Sequence, residues 1–111
     1  MNSSSGEFHR VAKAKDVAPG QAKQVRIGER VLAVYNIDGA FYATDDTCTH
    51  AFASLSDGYI DGDVIECPLH QGCFHIPTGK ALGPPVTQDI RTYPVKVVND
   101  EIYVETPAGG G

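Results

Sequence analysis

Two short Cys/His pairs constrain this chain more than anything else in it. Cys48-Thr49-His50 is followed, after sixteen intervening residues, by Cys67-Pro68-Leu69-His70. A thiolate beside an imidazole, repeated twice, is a donor set for iron or zinc; magnesium and calcium take oxygen ligands instead. Whatever fold the chain adopts must therefore bring two loops to one point. Zinc modules that use two Cys and two His usually carry the Cys on one arm and the His on the other. Here each arm supplies one of each, which suits a two-metal centre with both Cys on one iron and both His on the other. Cysteines packed as small hydrophobes would explain one such pair better than two. A zinc-stapled structural or interaction module stays open as the competing reading.

Loops of this kind need a scaffold, and the punctuation of the chain describes one. Twelve Gly and seven Pro recur at turn positions, among them Pro19-Gly20, Asp38-Gly39, Asp57-Gly58, Asp61-Gly62, Thr78-Gly79 and Asn99-Asp100. No amphipathic helix stands out, the run Lys13 to Ala18 amounting to one turn at most, so the class is all-β. Asp-Gly at 38–39 predicts a type I′ hairpin between Val31–Ile37 and Ala40–Thr44, with a further strand over Lys23–Ile27. Near the C-terminus Ile90–Val98 and Glu101–Glu105 read as a second hairpin, with Val95 and Val97 on one face and Ile102 and Val104 on another. The middle holds all three Cys and three of the four His, with short strands at Tyr59-Ile60, Val64-Ile65 and Phe74–Ile76. It reads as a subdomain over about 45–85 inserted into an antiparallel sandwich or barrel built from about 7–44 and 86–105. Residues 1–6 read as a disordered leader and 106–111 as a flexible tail, leaving a single domain over 7–105.

With 111 residues there is room for one ordinary domain. A multi-part enzyme such as an oxygenase, dehydrogenase or kinase needs more room than that. Nine Lys plus Arg against fourteen Asp plus Glu give a net charge of −5, the reverse of the basic footprint that nucleic acid requires. No membrane span and no export signal are apparent, which predicts a cytoplasmic protein. Three Cys is an odd number for a disulfide framework and fits ligation better.

Around the two pairs the chain resembles the Rieske family, and specifically the small Rieske ferredoxins of bacterial aromatic-ring-hydroxylating dioxygenase systems. The resemblance runs through Leu55-Ser56-Asp57-Gly58, Glu66-Cys67-Pro68-Leu69-His70-Gln71-Gly72 with Phe74, and Thr78-Gly79-Lys80-Ala81. The run Pro85 to Lys96 is similar to the naphthalene type. It implies the Rieske fold and one 2Fe-2S cluster, with Cys48 and Cys67 on the inner iron and His50 and His70 on the outer iron. It also implies a non-catalytic role: electrons pass from a flavin-dependent NAD(P)H ferredoxin reductase, through this protein, to a terminal oxygenase. Transient docking is expected around His50, His70, Phe52, Leu69, Gln71 and Pro85. A small subunit of a nitrite reductase is the alternative within the family.

Two departures from the respiratory Rieske proteins inform the expected chemistry. Those relatives carry an extra Cys in each loop, where this chain has Ala53 and Leu69, so no disulfide can link the loops. They also place a Ser and a Tyr where this chain has Gly72 and Phe74. Without those hydroxyl donors the potential is expected near the low end of the Rieske range, about −150 mV. Cys73 reads as a free thiol beside the site, and His75 as a turn or surface residue with no catalytic role. His9 is placed in an N-terminal strand. Gly83-Pro84-Pro85 is expected to cover the third side of the cluster.

Overall fold

In the computed structural model, which describes residues 7–48, 53–68, 72–83 and 88–106, the Asp38-Gly39 turn takes the geometry its sequence asks for. Asp38 has φ 52° and Gly39 φ 94°, the pair of positive values that defines type I′. The strands it joins belong to a set of ten among the described residues. These are β1 (Glu7–Lys13), β2 (Ala22–Ile27), β3 (Arg30–Ile37), β4 (Ala40–Asp45), β5 (Tyr59–Asp61), β6 (Val64–Glu66), β7 (Cys73–His75), β8 (Thr92–Tyr93), β9 (Val95–Val98) and β10 (Glu101–Thr106). They form three sheets in the orders β1-β10-β9, β2-β3-β4-β8 and β5-β6-β7, and every pairing is antiparallel. The only helical segments among the described residues are single 3-10 turns at Ala14–Asp16 and Leu55–Asp57. The all-β expectation and the insertion of β5–β7 between β4 and β8 both hold.

β3 is the wall between two cores. Alternate residues of a strand face opposite ways, and here Leu32 and Val34 join Ala12, Val17, Val25, Ala43, Tyr93, Ile102 and Val104 in a core between the first two sheets. Ala33 and Tyr35 point the other way, into a core with Cys48, Leu55, Ile65, Cys67, Phe74, Ile76 and Ile90. The run Val31 to Ile37 lacks polar alternation for this reason: it is covered on both faces. Asn36, its one polar residue, is buried but fully partnered. Its amide donates to Val17 O at 2.7 Å, and its Oδ1 accepts the Gly39 N–H at 2.8 Å, tying the type I′ turn down from below.

The C-terminal hairpin departs from the sequence expectation in two ways. Ile90–Val98 is not one strand: β8 pairs with β4 while β9 pairs with β10. Pro94 lies between them, and its missing N–H is a natural place to stop one ladder and start another. The segment so turns the corner between two sheets. Val97 pairs with Ile102 and Val95 with Val104, and directly opposed residues share a face, so the three valines and the isoleucine lie on the same side and not on two. The turn that joins these strands, Asn99-Asp100, has positive φ at both residues.

Candidate metal centre

The two Cys/His motifs open two loops built alike. In the first, Thr47 pairs with Ser54 and the Cys48 N–H donates to Ala53 O at 2.9 Å. In the second, Glu66 pairs with Cys73 and the Cys67 N–H donates to Gly72 O at 2.7 Å. Each loop thus starts with a cysteine whose amide bonds to the carbonyl five residues on. Both cysteines are sealed from water, at 4% and 0% exposure, inside the apolar core under β3. No disulfide joins any of the three cysteines.

Several contacts hold the loop bases. The Leu55 N–H donates to Asp46 O at 2.6 Å, and the Asp46 carboxylate accepts the Ser56 N–H on Oδ1 at 2.9 Å and the Gln24 amide on Oδ2 at 2.8 Å. The 3-10 turn then ends at Gly58, where a Cβ would lie 2.1 Å from Glu66 O. Only glycine lets the first loop's exit strand pass this close to the residue that precedes Cys67. Phe74, fully buried, fills the floor beside both cysteines, and neither it nor Gly72 offers a hydroxyl.

His50, Phe52, Leu69, His70, Gln71, Pro84 and Pro85 lie outside the described residues, as do 1–6 and 107–111. Of the expected ligands, the structure therefore places Cys48 and Cys67. A pair of buried, disulfide-free thiols in an apolar seat fits an iron–sulfur cluster, whose irons take thiolate, better than an oxygen-preferring cation.

Cys73 faces outward on β7, half-buried and opposite Glu66. Burial, then the charges of Glu66 and Asp61, push its thiol up from the ordinary value. His75 is not in a turn: it lies in β7, with Nε2 2.9 Å from Asp63 and Nδ1 2.8 Å from Thr78 Oγ1, and ties two turns of the third sheet together. Sequence reasoning gave no role to Gln24 or Asp46, took Ser56 only as part of the resemblance, and took Gly58 for one more turn residue.

A family model for the Rieske 2Fe-2S domain matches residues 7–94. The chain belongs to the Rieske family. Its cofactor is accordingly a Rieske-type 2Fe-2S cluster. This Rieske chain is 50% identical over 90 residues to the ferredoxin component of the naphthalene 1,2-dioxygenase system of Pseudomonas putida, covering 81% of this chain and 86% of the relative. Among solved structures, the Sphingomonas yanoikuyae B1 ferredoxin matches with TM-score 0.86 and 40% identity, over 91% of this chain and 100% of that one. A complex of reduced oxygenase and oxidised ferredoxin in carbazole 1,9a-dioxygenase matches with TM-score 0.83 and 46% identity, over 88% and 92%. The small subunit of a nitrite reductase from Mycobacterium tuberculosis shares the fold alone, at 20% identity and TM-score 0.82, over 93% and 97%. Among the described residues no helix is long and apolar enough to cross a membrane.

Proposed function

We propose that this Rieske protein is a cytoplasmic one-electron carrier, a single domain over about residues 7–105, whose cluster is held by Cys48 and Cys67 on the inner iron and His50 and His70 on the outer iron. The observation that carries the reading is the matched pair of loops, each opening on a cysteine buried in one core. When bound, the 2Fe-2S cluster supplies a reversible one-electron couple. The chain does the rest. Its two cysteines anchor the cluster from the buried side, and Phe74, Ile65 and Leu55 keep water from the sulfurs there. Positions 49–52 and 69–71 include the two histidines, through which a partner is expected to take and give the electron. Gly72 and Phe74 give no hydroxyl donor, which leaves the reduced, more negative cluster without that stabilisation and places the potential low.

In this reading electrons come from a flavin-dependent NAD(P)H ferredoxin reductase and go to a terminal aromatic-ring-hydroxylating oxygenase. The naphthalene-system relative and the ferredoxin–oxygenase complex support that placement. Docking is transient and centres on His50, His70, Phe52, Leu69, Gln71 and Pro85, since redox partners that must part use interfaces below about 1,200 Å². The test is reconstitution: the purified holoprotein, mixed with reductase and oxygenase, is expected to make nicotinamide oxidation depend on the aromatic substrate. Cys48→Ser and Cys67→Ser are each expected to abolish the visible absorbance and the transfer. Full transfer by either variant would overturn the ligand assignment.

A further inference from the structure

Among the described residues Asp46 is the one acid that is buried, at 1% exposure. It stands two residues before Cys48, so at most about 7 Å separates their Cα atoms. Its carboxylate is held in place from two sides, by the Gln24 amide of β2 at 2.8 Å and the Ser56 N–H at 2.9 Å, while its own carbonyl takes the Leu55 N–H. These contacts fasten the start of the first cluster loop to the second sheet and to the 3-10 turn. Both carboxylate oxygens accept N–H bonds, the pattern of an acceptor-only carboxylate held in the interior.

We propose that Asp46 is a positioning residue that also sets the potential: its buried charge opposes electron uptake by the cluster and holds the couple low. The inference rests on the assignment of Cys48 and Cys67 as ligands. Oxidised Rieske clusters with two thiolates and two neutral imidazoles carry no net charge, because two ferric ions cancel two sulfides and two thiolates. Reduction adds one negative charge, which a nearby carboxylate repels. Other acids crowd the same segment, but Asp57, Asp61 and Asp63 are exposed and Asp45 and Glu66 are half-buried, and water and salt screen charges that reach solvent much more than buried ones. Burial pushes the Tyr35 hydroxyl up, with the hydrogen bond to Thr44 pulling the other way and Asp46 adding to the rise, and Tyr35 shares the core with both cysteines.

Asp46→Asn tests the charge while sparing the hydrogen bonds. Asn Oδ1 can keep the Ser56 N–H, and its amide can donate to Gln24 once the Gln24 amide turns over. The holoprotein is titrated by visible absorbance against redox mediators, with the electron paramagnetic resonance spectrum of the reduced form recorded beside it. The expected result is an unchanged resonance pattern and an equilibrium shifted at least tenfold toward the reduced form, about 59 mV for one electron. Asp61→Asn, an exposed charge, is expected to shift it less than twofold. Gln24→Lys supplies a second route, since an ammonium beside Asp46 Oδ2 neutralises the same charge from an exposed position on β2, and its potential should rise as well. A shift below twofold in Asp46→Asn with the cluster intact overturns the proposal. Where Asp46→Asn does not retain the cluster, a shift below twofold in Gln24→Lys does so. Loss of colour in Cys48→Ser and Cys67→Ser reports separately on the ligand assignment.

Discussion

Three cysteines in one small subdomain have two kinds of surroundings, and their reactivity follows. Cys48 and Cys67 are buried at loop bases, whereas Cys73 faces outward on β7 across from Glu66. Burial first, then the carboxylates of Glu66 and Asp61, raise the Cys73 thiol above its ordinary value of 9.0. The thiolate is the nucleophile, so the shift keeps the residue in its unreactive form near neutrality. Iodoacetamide is expected to alkylate Cys73 in the folded holoprotein more slowly at pH 8 than it alkylates a small thiol such as glutathione, with the rate climbing as pH rises. Mass spectrometry of the labelled peptide measures this. A rate above that of the small thiol would contradict the geometry. That Cys48 and Cys67 would be set apart from Cys73 was legible in the sequence because each of the two comes with a nearby His in a repeated pattern. The place of Asp46 was not, since neighbouring acids beside a turn carry no local mark of burial, which here comes from Gln24, twenty-two positions away.

At the level of elements, the join between the two cluster loops depends on one close approach. Gly58 leaves the 3-10 turn Leu55–Asp57 with ordinary negative φ, so its glycine is not there for a left-handed turn. A methyl group at that position would sit 2.1 Å from Glu66 O and 3.1 Å from Leu55 O. Both obstacles are backbone, which cannot swing aside. Gly58→Ala is expected to push β6 off the turn and to cost about 1–3 kcal/mol, the usual range for overpacking. Urea unfolding would show the lower midpoint, and the iron content of the purified variant should fall because Glu66 directly precedes Cys67. An unchanged midpoint and full iron would mean the two segments can separate freely. Sequence reading located the strands of the subdomain and the type I′ hairpin, because Asp-Gly and short apolar runs are local signals. It merged β8 with β9, since the change of ladder at Pro94 depends on which strands lie alongside, β4 for one and β10 for the other.

Across the whole molecule, one tyrosine held between an acid of β4 and a base of β3 bears on the protein's tolerance of alkali. Tyr93 is buried, donates to Asp45 Oδ1 at 2.5 Å and receives Arg30 Nη1 at 3.2 Å. Burial, then the hydrogen bond and charge of Asp45, raise its hydroxyl above 10.0, with Arg30 pulling the other way. A folded value above the unfolded one means stability that is fully present below pH 10 and is lost as pH climbs through the folded value. The melting temperature of the protein is therefore expected to decline on the alkaline side of pH 10. Tyr93→Phe should be less stable at neutral pH, by about 1.5–3 kcal/mol for the lost bond to a carboxylate, yet show a shallower alkaline decline. Equal slopes for both proteins would locate the alkaline loss elsewhere. β3 carries a consequence of the same breadth. Its backbone is bonded on one side to β2 and on the other to β4, and its side chains are covered above and below. No local fluctuation can bare its amides; they reach solvent only when both cores open together, so the half of the protein that grips iron and the half that does not rise and fall as a single cooperative unit.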